Sequence, residues 1–453
     1  MNTDAQRDAV AAVHRALCEV ATATPIVLAV SGGPDSVGMA RLVVAARPDL
    51  RATVVHVRHG LRDDALDAEI AAAHARSLGL ACEIVRVTVV AAGTGPEDAA
   101  RTVRWEALAA AAQGVGASLI ATGHTADDQA ETVLLNLARG SGLAGLAGMP
   151  PRRGIAGELT VIRPVLDLRR AVVAAVAASS GMPVATDPSN TDPAQRRSRA
   201  RHDVLPRLRT LTGGDTDPVE ALARLARHAR RDNEYLDDIA AAAVARAAGR
   251  WGPVQVLPVT ALDGTNDAIA TRMVRWLALR AGAHRLTDAM VSAVLALRDG
   301  QVAQLAGGLL VSRGGGFVAA APRAEPPAVH HLTGDAVDLP EIGLTLRREA
   351  RTGGGVLPPW APARAAAAVP ALADGALLVR PRRSGDRIAD TQGTRSVARA
   401  MAAAGVPRIA RDLVPVVSDD QGVLWIPGVA VRAGASGPRN LRLVPSSRLG
   451  SVE

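Results

Sequence analysis

As far as about Arg209, the chain alternates short apolar, β-branched runs with Ala-rich stretches whose apolar positions recur at helical spacing. The runs are PIVLAV at 25–30, ATVVHV at 52–57, CEIVRVTVV at 82–90 and ASLIAT at 117–122. Each precedes a helical stretch, which is the rhythm of a parallel sheet with crossover helices. After the turn-rich TLTGGDTDP, a long Ala, Arg and Leu helix is predicted from about Val219 to Arg246, with further helices at TRMVRWLALRAGA and DAMVSAVLALRD. Gly and Pro then thicken in APRAEPPAV and RTGGGVLPPW, which mark connecting segments. Beyond Leu377 the strands LLVR, LVPVVSD and VLWIPGVAV flank a helix near Ser396 to Ala404. The pattern divides the chain into an α/β domain at 1–210, a mainly helical domain at 215–325, a connecting segment at 326–376 and a small α+β domain at 377–453.

Composition changes this picture in three places. Aromatic residues make up 2% of the chain, with one Tyr and one Phe, so Ala, Val, Leu and Ile must fill the cores and base stacking is not the main binding mode. The 52 basic residues are all Arg and exceed the 44 acids, for a net charge of +8. A surplus of guanidinium groups favours a polyanionic partner, because the planar fork grips phosphate with two parallel hydrogen bonds. Cys18 and Cys82 stand far apart, outside any metal-binding, redox or disulfide spacing, which fits a reducing cytoplasm. No signal-like apolar segment opens the sequence and no run is long enough for a membrane span.

The strongest chemistry lies directly after the first strand, where Ser31-Gly32-Gly33-Pro34-Asp35-Ser36 opens a helix expected near Val37. A strand, glycine loop and helix N-terminus aim backbone N–H groups and a positive dipole end at one point, which is a phosphate site. Asp35 would repel phosphate there unless Mg2+ lay between them. A second candidate is Gly123-His-Thr-Ala-Asp-Asp-Gln-Ala-Glu-Thr132, where a helix from about Ala126 puts Asp127, Asp128 and Glu131 on one face. Such acids either receive a cation or cap the helix start and favour its dipole.

The SGGPDS string has no Gly-Lys-Ser/Thr and resembles the signature of the PP-loop ATP pyrophosphatases, which adenylate an oxygen that a nucleophile then displaces. With His56-Val-Arg-His59-Gly-Leu-Arg62 and the 123–132 string, the resemblance narrows to the tRNA(Ile)-lysidine synthetases. The element Glu97-Asp-Ala-Ala-Arg101-Thr-Val-Arg104-Trp105 is similar to another family string, as is Asp187-Pro-Ser-Asn190 followed by Gln195 to Pro206. Arg58 and Ser198 stand where that family usually has Asn, and Ala200 where it has Ile. Leu378 to Arg387, Arg395 to Pro415 and Leu424-Trp-Ile-Pro-Gly428 resemble the family's terminal domain.

The resemblance implies an adenine nucleotide alpha hydrolase-like PP-loop domain, a helical middle domain and a small α+β C-terminal domain. It implies ATP held by Ser31 to Ser36 and His124, Mg2+ at Asp35, and free L-lysine held by Asp128 and Glu131. Arg101 joins Asp35, Asp128 and Glu131 as a catalytic candidate. Arg104, Arg196, Arg197, Arg199 and Arg201, with Arg382, Arg387, Arg395 and Arg399, are candidates for gripping an isoleucine tRNA with a CAU anticodon. The implied reaction adenylates O2 of the wobble cytidine and lets lysine displace AMP at C2, and a homodimer is compatible with it. Three rivals fare worse. A tRNA thiolase needs cysteines in a sulfur-delivering motif, an amidotransferase synthetase needs a glutaminase, and a silent RNA-binding relative predicts damage to the loop or the acids, all of which stand intact.

Overall fold

The computed structural model describes residues 3–58, 65–88, 96–155, 158–186, 195–283, 286–323, 325–326, 328–350, 358–360, 368–371, 376–435 and 439–446. His59, Arg62 and the string from Asp187 to Asp192 lie outside the described residues. The chain forms two compact units, Met1–Glu234 and Tyr235–Glu453.

In the first unit the elements run α1 (Thr3–Ala16), β1 (Pro25–Ala29), α2 (Pro34–Ala46), β2 (Arg51–Arg58), α3 (Ala65–Ser77), β3 (Ala81–Arg86), α4 (Pro96–Gly114) and β4 (Leu119–Ala121). They continue as α5 (Ala126–Ala138), α6 (Leu143–Leu146), β5 (Arg152–Gly154), β6 (Thr160–Ile162), α7 (Arg170–Ala178), α8 (Arg196–Arg199) and α9 (Leu205–Leu211), and α10 (Pro218–Ala247) starts in this unit and runs on past Glu234 into the second. The sheet order is β3-β2-β1-β4-β6-β5, parallel throughout except for β5. Successive residues of β1 serve opposite faces, as the pleat requires. Ile26 and Leu28 pack with Met39, Leu42 and Val173 on one side, while Val27 packs with Leu108, Ala111 and Ala112 on the other. Both faces are therefore covered, and the uniformly apolar PIVLAV run follows from that.

The order of strands fixes where a ligand can sit. From β1 the chain moves outward through β2 and β3, then returns to place β4 on the other side of β1. The loops leaving β1 and β4 emerge from the carboxyl ends of neighbouring parallel strands, where open α/β sheets bind ligands. The loop at 31–36 follows β1 and the string at 123–132 follows β4, so the topology brings the two candidate motifs together.

The second unit holds β7 (Gly249–Trp251), β8 (Val254–Pro258), α11 (Val259–Asp263), α12 (Asp267–Arg280), α13 (Asp288–Leu295), β9 (Val302–Gln304), β10 (Leu310–Gly314) and β11 (Phe317–Ala321). Then come β12 (His330–Leu332), β13 (Ala336–Leu339), β14 (Leu344–Ala350), β15 (Ala368–Ala371), β16 (Leu377–Arg380), β17 (Arg387–Asp390) and β18 (Gly393–Ser396). The unit closes with α14 (Val397–Ala403), β19 (Val416–Asp419), β20 (Gly422–Ile426), β21 (Ala430–Val431) and β22 (Arg439–Pro445).

Helices α12 and α13 share a core with an antiparallel sheet of order β7-β8-β11-β10-β9, whose short strands the sequence pattern did not reveal. The stretch 326–376, read from its Pro and Gly as a connector, supplies β12 to one antiparallel sheet and β13, β14 and β15 to another. Its strands are short and its alternation is broken by turns, which hid them. Trp251 and Trp360 meet edge to face at 5.8 Å in the core that these sheets cover.

Leu28 is fully buried on the face of β1 that meets α2 and α7. Leu28→Ala is expected to cost about 2–5 kcal/mol, as large-to-small changes at closed core sites do. Denaturant unfolding followed by circular dichroism measures it.

Candidate active site

The loop after β1 is held by its own side chains. Ser36 Oγ accepts the Ser31 amide at 3.1 Å, donates to the Gly33 carbonyl at 2.9 Å and lies 3.1 Å from Ser31 Oγ. Gly32 adopts φ +89°, and a Cβ there would meet the Asp67 carbonyl oxygen at 2.9 Å. The helix expected near Val37 in fact opens at Pro34 with Gly33 as its N-cap, because proline at the first helical position costs no hydrogen bond. Pro34, Asp35 and Ser36 thus form its first turn, beside the positive end of its dipole.

The loop after β4 presses against this turn. A Cβ on Gly123 would lie 2.8 Å from the Asp35 backbone oxygen and 2.9 Å from Ser36 Cα, so only glycine permits the approach. His124 follows, with Nδ1 2.9 Å from Thr122 Oγ1. Burial pushes its pKa down to about 4, against the pull of Asp128, and Arg163, Arg197 and Arg104 add to the depression.

The acids of α5 divide their work. Asp127 Oδ2 accepts the Arg170 amide at 2.7 Å and the Nε of Arg169 at 3.3 Å, so this carboxylate secures the start of α7. Asp128 Oδ2 accepts the amide and hydroxyl of Thr125, both at 2.8 Å, and so closes the start of α5. Its Oδ1 accepts Nη2 of Arg170 at 2.7 Å. Capping and facing the site, weighed as alternatives from the sequence, fall to the same carboxylate. Burial works against the charge of Asp128, but Arg170 and the Thr125 amide outweigh it and hold the group below the ordinary carboxylate range.

Glu131 is fully buried; its Oε1 accepts Nε of Arg201 at 2.8 Å and Nη1 of Arg170 at 3.4 Å. Arg170 Nε also donates to Asp35 Oδ2 at 3.0 Å. One guanidinium thus joins the carboxylate of the phosphate loop to two of the three acids of α5. Two oxygens, Asp35 Oδ1 and Glu131 Oε2, are buried with no hydrogen-bond partner among the described residues. Burial raises the pKa of Asp35 above the ordinary carboxylate value, Arg170 opposes the rise and Asp128 adds to it. Among the described residues no group of three or more His, Cys, Asp or Glu side chains is placed to hold a metal ion.

The nominated arginines have different fates. Arg101 is exposed and Arg104 half-buried, with burial, Arg101 and Arg197 all lowering the pKa of Arg104. Arg196 and Arg199 are exposed and Arg197 is half-buried on α8. Arg201, in the π-helical turn Ala200–Val204, turns inward to Glu131. In the second unit Arg382 pairs with Asp412 at 2.8 Å, Arg395 with Asp390 at 2.6 Å, and Arg387 donates to the Thr394 carbonyl at 3.2 Å. Arg399 is exposed on α14 and forms no ion pair among the described residues.

Sequence reasoning missed Arg163, Arg169 and Arg170. Arg169 and Arg170 form the N-cap and first position of α7, where the helix dipole disfavours cations. Two arginines opening a helix signal acids from elsewhere, and that signal was available in the sequence. Arg163 is buried, donates to the Pro150 carbonyl at 2.6 Å and has its pKa lowered to about 10 by burial and by Arg153, Arg101 and Arg230.

A parallel sheet with a glycine loop and acid-bearing helix at its switch point defines a PP-loop domain, and the family model described as PP-loop domain matches residues 2–208. A second, the TilS substrate C-terminal domain, matches residues 377–444. The tRNA(Ile)-lysidine synthase of Salinispora arenicola is 42% identical over 315 residues, covering 67% of this chain and 93% of that one. That of Thermobifida fusca is 45% identical over 275 residues, covering 60% and 82%, and that of Symbiobacterium thermophilum 33% identical over 446 residues, covering 89% of each. The chain belongs to the tRNA(Ile)-lysidine synthase family, a family of ligases.

The depressed pKa of His124 has a testable consequence. The folded imidazole takes its proton near pH 4 and the unfolded one near 6.5, so between these values the unfolded chain binds more protons. Stability contributed by neutral His124 is complete above pH 6.5 and declines as pH falls toward 4. An NMR titration is expected to show this ring neutral at pH 5.5, where exposed histidines are mostly charged.

Proposed function

We propose that this chain ligates free L-lysine to C2 of the wobble cytidine of isoleucine tRNA bearing a CAU anticodon, consuming ATP. Family membership supports the reaction, and the observation that carries the residue assignment is the meeting of Asp35, Asp128 and Glu131 around Arg170 at the sheet's switch point. Ser31 to Ser36 are read as the phosphate cradle and His124, held neutral, as a neighbour of the nucleotide. Mg2+ fits at Asp35, whose unpartnered buried oxygen lies in the first turn of α2, and when bound it supplies charge to offset the phosphates.

In the first step O2 of the cytidine attacks the α-phosphorus of ATP, the O2–P bond forms and pyrophosphate leaves. In the second the lysine side-chain amine, freed of its proton by a neighbouring carboxylate, attacks C2. The C2–N bond forms and the C2–O bond breaks, so AMP departs with the original oxygen. Asp128 and Glu131 hold the amine and Arg101 faces the reacting phosphate or base, so most of the catalysis is alignment. Arg104, Arg196, Arg197 and Arg199 in the first unit, and Arg382, Arg387, Arg395 and Arg399 in the second, are read as tRNA contacts. The substrates place the reaction in the cytoplasm; no helix among the described residues is long and apolar enough to cross a membrane.

Incorporation of labelled lysine into transcribed tRNA with ATP and Mg2+ tests the reading. Retained label is expected with the wild type and not with Asp35→Ala. Glu131→Gln is expected to raise KM for lysine roughly tenfold or more, about 1.4 kcal/mol of binding. Conversion of ATP to AMP with no label in the RNA would mean another nucleophile or another RNA.

A further inference from the structure

Arg170 stands where the proposed reaction needs a different cation. Its three guanidinium nitrogens donate to Asp35, Asp128 and Glu131 at 3.0, 2.7 and 3.4 Å. Two of these acids are the ones assigned to the lysine ammonium. Both groups are cationic N–H donors, so they compete for the same oxygens. The seat is incompletely filled: the contact to Glu131 is the longest of the three, and Glu131 Oε2 is fully buried with no partner. The backbone gives Arg170 no reason to stay, since the first position of α7 faces the positive end of the helix dipole. Its counterweight is the acids alone.

We propose that Arg170 is a positioning residue that sets the order of substrate binding: it occupies the ammonium seat of the empty enzyme and yields it when a nucleotide fills the phosphate loop. The proposal rests on the assignment of Asp128 and Glu131 to lysine. Nε of Arg170 already touches the carboxylate of the phosphate-loop helix, so phosphate there would compete for the guanidinium within a short swing of the side chain. A guanidinium matches phosphate oxygens with two parallel hydrogen bonds, whereas here it meets three carboxylates at single contacts, so phosphate is a competent rival for it. Its departure takes the Arg170 donor from Asp128 Oδ1 and leaves Glu131 Oε1 with Arg201 alone, and the three N–H bonds of an ammonium can take the place it leaves. By linkage, lysine then strengthens retention of the nucleotide by the same factor.

The test is equilibrium binding of L-lysine, measured by calorimetry with no RNA present, in the absence and presence of α,β-methylene ATP with Mg2+. In the wild type the analogue is expected to tighten lysine binding roughly tenfold or more. In Arg170→Gln, lysine is expected to bind the nucleotide-free protein at least as tightly as it binds the nucleotide-free wild type, and the analogue is expected to add little. Equal wild-type affinities with and without the analogue overturn the proposal, and this measurement stands even if the variant does not fold. Weaker lysine binding by a folded Arg170→Gln in both states also overturns it, since Arg170 then merely braces the acids. Glu131→Gln separates the layers: it is expected to weaken lysine binding to the analogue-loaded protein roughly tenfold or more, and wild-type affinity there would overturn the assignment of the acids instead.

Discussion

The contact on which the first unit's chemistry depends is the sharing of Arg170 by three carboxylates from two helices. Three carboxylates gathered in a partly dry crevice repel one another, and each loses hydration on entering it. Among the described residues Arg170 and Arg201 supply two positive charges against three negative ones, and two of the carboxylate oxygens have no hydrogen-bond partner. A neutral, fully bonded cluster would be a better brace and a worse receptor. The unbalanced cluster is held together by its two guanidinium groups and still keeps acceptor capacity to spare.

That cluster exists because of the strand order. Asp35 belongs to the helix after β1, Asp128 and Glu131 to the helix after β4, and these strands are neighbours although the chain visits two others between them. Gly123 lets the two connections touch at backbone distance, and the inward-turned Arg170 is carried by the helix that follows β6. Asp127 keeps that helix in place through the Arg170 amide and Arg169, while Arg169 also pairs with Asp217 at the entry of α10. Acids that look alike in the string TADDQAE therefore have separate partners: Asp127 secures the start of α7, and Asp128 and Glu131 meet the Arg170 side chain. Backbone topology sets the meeting point, and side-chain pairing sets its charge.

Much of this was legible in the chain. The alternation of apolar runs and helical stretches announced the parallel sheet, and the SGGPDS string announced the phosphate loop, because both are consequences of local spacing. The extent of the second helix was misjudged by three residues, since Pro34 reads as loop punctuation and is equally at home at the first helical position. Arg170 was not legible as a member of the site: it is 135 residues from Asp35, and only the return of the chain to the sheet brings them together. Its position at a helix start, against the dipole, was the local sign that a distant acid had to exist. The strands at 330–332 and 344–350 stayed hidden because they pair with residues 377–379 and 439–445, which no local period encodes, while 336–339 pairs only with the neighbouring 344–350.

The arginines carry a last lesson about reading charge. A chain with 52 arginines and a net charge of +8 invites the assumption that every basic cluster is a surface for phosphate. Arg201 belongs to the string richest in arginine, yet it spends its charge on a buried glutamate. Arg382 and Arg395 pair with acids in their own unit, and Arg380 is bound in the fork of Asp386 at 2.7 and 2.9 Å. Arginine is doing here what lysine cannot, because its fork can satisfy two or three acceptors at once and never deprotonates. What remains for a polyanion is the exposed subset, including Arg196, Arg199, Arg387 and Arg399. Pairing therefore divides one composition in two: partly buried arginines that organise carboxylates, and exposed arginines left to the solvent.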